Sequence, residues 1–140
     1  MKLYVDKKLN LNPDKVRLIA EFCNFCADHL PIVGNFKIYI TADRKAHGIS
    51  TTASYEVNNN TCRIYGKNRA LVDICRSIAH EMTHMMQDET GLLTGHIQDA
   101  GGFHEDQANA KAGELIKRFA KSKDERRAIY ETRLKKISNL

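Results

Sequence analysis

A chain of 140 residues that is 42% hydrophobic and 28% charged reads as one globular domain over residues 1–140, able to bury roughly two-thirds of its unfolded surface without staples. No apolar run approaches the roughly 20 residues that cross a bilayer, and Met1-Lys2-Leu3-Tyr4-Val5-Asp6-Lys7 becomes charged too early for a secretory signal; a membrane partner is excluded and a cytoplasmic location expected. The net charge of +5 permits nucleic acid or acidic proteins as partners without demanding either.

Asn12-Pro13-Asp14 opens a helix, with proline at the first helical position. It predicts a helix from Pro13 to about His29, ended by Pro31. Cys23 and Cys26 form a C-x-x-C that tempts a metal site with Cys62 and Cys75. The pair falls in a helical pattern with Phe22 and Phe25, however, and small buried thiols explain it. Phe36–Ile40 alternates as a strand does, and Thr41–Ser50 reads as a polar loop. Two β-prone runs, Thr51–Val57 and Cys62–Tyr65, flank the turn Asn58-Asn59-Asn60 and predict a hairpin.

Asn68 is the expected N-cap of the next helix. Leu71, Ile74, Ile78, Met82 and Met85 recur at three and four along it and make one apolar stripe, with Gly91 as its stop. A glycine-rich loop from Gly91 to Gly102 leads to a helix from about Phe103 to Lys121. Ser122-Lys123-Asp124-Glu125 reads as a capping box opening a last helix to about Ile137. The late basic residues, Lys117-Arg118 through Lys135-Lys136, read as a solvated face interleaved with Glu125 and Glu131.

The chemistry sits on the helix after Asn68. His80-Glu81-Met82-Thr83-His84 reads H-E-x-x-H. Histidines four apart share one helix face, so their imidazoles can reach one metal ion together. Glu81 points to a neighbouring angle, suited to hold water without being a ligand. Both histidines fall off the apolar stripe. The helix can therefore bury one side and turn its histidines into a cleft. Chance produces such a match in roughly one or two of a hundred comparable chains, so context matters.

That context is Glu105-Asp106-Gln107-Ala108-Asn109, which reads E-x-x-A-N and opens the following helix. H-E-x-x-H followed by E-x-x-A-[DN] resembles the gluzincin metallopeptidases, and the E-x-x-A-N form is most similar to the small ImmA/IrrE-like peptidases. The resemblance covers roughly Tyr55 to Phe119. It implies an α+β, zincin-like fold with a small antiparallel or mixed sheet, a metal-binding helix and flanking helices. It also implies zinc (Zn2+) held by His80, His84 and Glu105, with Asn109 behind a ligand histidine. Many gluzincins carry Asp at that last position; Asn is a neutral acceptor and should polarise the imidazole less. His104 is the rival third ligand, as in SprT-like zincins. The A-N-x-x-A spacing that follows Glu105 favours Glu105.

The expected activity is zinc-dependent hydrolysis of peptide bonds in a protein or peptide substrate, with Glu81 as general base. A further donor should help with oxyanion charge. His96, His104, Tyr55 and Tyr65 are candidates, and His96 is favoured because it lies between the ligand motifs. In the resembling families substrate adds to an edge strand, for which Thr51–Tyr65 is the candidate. An ImmA/IrrE-like role implies a regulatory target such as a transcriptional repressor, and the Gly91–Gly102 loop could close over the cleft. Two alternatives stand beside this reading: a nucleic-acid-associated, SprT-like protein, and a non-catalytic domain with structural zinc.

Overall fold

A computed structural model describes residues 1–91 and 102–131. The chain opens with a strand, β1 (Lys2–Val5), and a 3₁₀ turn at Lys7–Leu9, followed by α1 (Pro13–His29). Asn12 caps α1 as expected, its side chain accepting from the N–H groups of Asp14 and Lys15. Three strands follow, β2 (Lys37–Thr41), β3 (Ala53–Glu56) and β4 (Thr61–Tyr65). Then come α2 (Leu71–Glu89) and α3 (Phe103–Ser122), and a 3₁₀ segment at Asp124–Tyr130. Among the described residues no helix is long and apolar enough to cross a membrane.

The strands form one mixed sheet in the order β1-β2-β4-β3. β1 and β4 each run parallel to β2, and β3 pairs antiparallel with β4 as the expected hairpin. Period-two alternation sends Ile38, Ile40, Cys62 and Ile64 into the core. On the opposite face Tyr4 stacks on Tyr39. Helices cover the inner face, where Phe119 of α3 meets Phe22 and Phe25 of α1 edge-on. The stripe Leu71, Ile74, Ile78, Met82 and Met85 is buried throughout. Gly66 lies at the turn into α2, where a Cβ would come within 2.9 Å of Ile40; only glycine lets the backbone pass there.

Two sequence expectations need correction, and one strand has no counterpart among them. The Lys2–Val5 strand lacks a local signal, because its partner β2 lies 35 residues on and pairs in parallel. Asn68 is not the N-cap of α2. It adopts a left-handed conformation at φ 57°, while a cap needs extended backbone. Ala70 holds the cap position and offers no side-chain bond. Glu131 supplies the acceptor for Leu71 N–H instead, at 3.0 Å, and its other oxygen pairs with Lys15. The Ser122 capping box does not form: Ser122 ends α3 and donates to Phe119 O, and the following turns are 3₁₀ rather than α. The expected continuation to Ile137 lies outside the described residues.

All four cysteines are free and buried, and among the described residues they form no metal-ligand set. Burial pushes the Cys23 thiol up to about 12 and lifts Cys26, Cys62 and Cys75 well above their ordinary range. Unfolded thiols start losing protons near pH 9. Their contribution to stability is therefore complete below that pH and is lost as pH rises toward the folded values. A thiol reagent at pH 8 should label fewer than one cysteine per native chain, and all four in denaturant.

Candidate metal centre

Burial of its apolar stripe fixes the roll of α2 and so fixes where its histidines point. His80 and His84 lie one turn apart with ring centroids 4.9 Å from each other. α3 then brings a carboxylate to them. Its buried side includes Ala108 and Ala112, and side chains this small let two helix backbones approach closely. Glu105 stands in the first turn of α3, where the helix dipole favours negative charge.

Glu105 bridges the pair: Oε1 lies 2.7 Å from His84 Nε2 and Oε2 lies 3.2 Å from His80 Nε2. The ligand atoms of all three residues fall within 4.8 Å of one another, the one such cluster among the described residues. Two N/O ligands on one tetrahedral zinc lie roughly 3.3 Å apart. The spacing and the donor set of two imidazoles and one carboxylate both fit that ion. Burial lowers the pKa of His80, and the neighbouring His84 lowers it further, against the opposing pull of Glu105 and Asn109. A neutral imidazole keeps the lone pair a metal needs.

Each histidine has a second partner. Asn109 accepts a side-chain hydrogen bond from His80. His84 Nδ1 meets Gln87 Oε1 at 2.8 Å. With the proton on Nδ1, Nε2 is left as the coordinating atom. Gln87 is itself fixed, its Nε2 donating to His104 O and to Gln107 Oε1. Sequence reasoning missed Gln87. Its position three after His84, on the same helix face, is the signal that could have found it. Gln87→Leu should keep the helical circular dichroism and weaken zinc binding by about 10- to 100-fold, read by competition with a chromophoric chelator.

Glu81 is 8% exposed. Burial pushes its carboxyl up to about 7, with Glu105 adding to the shift and His84 opposing it. It lines a cleft of about 600 Å3 together with His80, Glu105, Asn109 and the Thr51–Ala53 approach to β3.

The other candidates fall elsewhere. His104 is not in the ligand cluster, and its Nδ1 is buried without a hydrogen-bond partner. Tyr55 donates to Asp88, and burial followed by that carboxylate raises its phenol pKa; it is held away from the oxyanion role considered for it. The Tyr65 ring lies under the Arg44 guanidinium. His96, with residues 92–101 around it, lies outside the described residues. No protein-family model, curated protein or solved structure matches this chain.

Proposed function

We propose that this chain is a zinc metallopeptidase of the gluzincin kind that cleaves peptide bonds in a protein substrate. One observation carries the reading. Two imidazoles and a carboxylate from the next helix converge within 4.8 Å, while the acid between the histidines stays out of the cluster and faces the same cleft. A structural metal site has no use for such an acid. The mixed sheet, the helix bearing both histidines and the helix bearing Glu105 suit a minimal zincin-like fold.

His80, His84 and Glu105 would hold the ion. When bound, zinc supplies Lewis acidity that polarises a scissile carbonyl and brings the pKa of a coordinated water to about 7. Glu81 accepts the proton of the attacking water and passes it to the leaving amine. Its buried position beside the ligands, facing the cleft, places it for both roles. Gln87 and Asn109 orient the histidines. Among the described residues β3 is the last strand of the sheet, and an extended peptide added along it would find backbone partners beside the cleft. An ImmA/IrrE-like role would make the substrate a regulatory protein.

The reading is tested by digesting a proteome-derived peptide library with the zinc-loaded protein. New termini should appear, vanish with a zinc chelator and return when zinc is restored. A zinc-loaded protein that cuts no peptide in the library contradicts the proposal.

A further inference from the structure

One end of the cleft carries a second polar cluster, formed by Arg69, Asp73, Arg76 and Ser77. Arg69 is partly buried and held by three bonds. One nitrogen donates to Tyr65 O at 2.6 Å, and the other donates to Asp73 O at 3.0 Å and Ser77 Oγ at 2.8 Å. All three acceptors are uncharged. A guanidinium has five N–H donors, so two remain. Asp73 pairs its carboxylate with Arg76 at 2.9 Å. Among the described residues no carboxylate lies within ion-pair distance of Arg69. This end of the cleft therefore carries a net positive charge on a donor already locked in place.

Its position relative to the metal ligands follows from the helix. Asp73, Arg76 and Ser77 precede His80 by seven, four and three residues on α2, or roughly 5–10 Å at 1.5 Å per residue. An extended peptide covers that in about two or three residues. The relative direction of β3 and α2 is also set. Tyr55, late in β3, reaches Asp88 near the end of α2, while Thr52 and Ala53 share the cleft with Arg69 and Asp73 near its start. β3 and α2 thus run the same way. A peptide paired antiparallel with β3 directs its C-terminal half toward Arg69.

We infer that Arg69, assisted by Arg76, is a carboxylate-binding subsite that selects peptides bearing a carboxylate about two or three residues beyond the scissile bond. The inference rests on the metallopeptidase reading for its register, and the carboxylate can come from an acidic side chain or from a chain terminus.

Binding is tested on zinc-loaded Glu81→Gln, which removes turnover. The probes are four acetylated tripeptides: Ala-Ala-Glu amide, Ala-Ala-Gln amide, Ala-Ala-Ala free acid and Ala-Ala-Ala amide. The nuclear magnetic resonance signal of Arg69 Nε is the readout. At least one carboxylate peptide should shift that signal and bind about tenfold or more tighter than its amide counterpart, as a charge-assisted bond provides. Which of the two succeeds identifies the source. Arg69→Gln should abolish the preference. Because Arg69 also ties β4 to α2, half-exposed Arg76→Gln is the second variant and should reduce it. If neither carboxylate peptide binds better than its amide, the subsite is overturned, whether or not the protein cuts peptides. Carboxylate binding without any cleavage would instead overturn only the peptidase reading.

Discussion

Glu81→Gln should abolish peptide hydrolysis while leaving zinc bound. The glutamine keeps the shape of the side chain and cannot take a proton. General acid–base catalysis contributes about 10²- to 10⁴-fold, so kcat should fall by at least about 10²-fold with the zinc stoichiometry unchanged. The variant also carries a stability signature. In the metal-free protein Glu81 has its pKa raised by burial, from 4.5 to about 7. Its contribution is complete below pH 4.5 and is lost as pH rises through about 7, because the unfolded carboxyl ionises first. Glutamine has no proton to lose. Thermal unfolding of the metal-free variant should therefore lose less stability than the wild type between pH 5 and pH 8. Full activity in Glu81→Gln would remove this residue from the mechanism.

Glu105→Ala should cost more than 100-fold in zinc affinity, beyond what loss of a supporting residue such as Gln87 costs. The reason is geometric. Glu105 contacts both Nε2 atoms, and the neighbouring His104 lies outside the cluster, so no nearby donor takes its place. His104→Ala is the paired control and should leave zinc affinity within about threefold, since supporting-shell losses start near tenfold. A chelator-competition titration of both variants reads the difference. If His104→Ala loses the metal and Glu105→Ala keeps it, the SprT-like ligand arrangement is the right one.

Much of this geometry was legible in sequence because the relevant signals are local. Helical periodicity placed Leu71, Ile74, Ile78, Met82 and Met85 on the buried side of α2, and with them the direction of His80 and His84. The four-residue spacing of Glu105 and Asn109 put both on one face of α3, and both line the cleft. What escaped was long-range. β1 pairs with a strand far along the chain. The acceptor at the start of α2 comes from Glu131, 60 residues away. Tyr55 looked free to serve catalysis until the fold set Asp88 beside it. Gln87 lies near His84 in sequence, yet its grip depends on His104 O and Gln107 from another helix. Ser122 carried a valid capping signal, overridden by its bond to Phe119 O.

X-ray absorption at the zinc edge of the reconstituted protein tests the central claim most directly. The expected result is one zinc per chain in a shell of two imidazole nitrogens, one carboxylate oxygen and one exchangeable water oxygen, all at about 2.0–2.2 Å. Sulfur in that shell, a fourth protein ligand in place of water, or protein that takes up no zinc would contradict it.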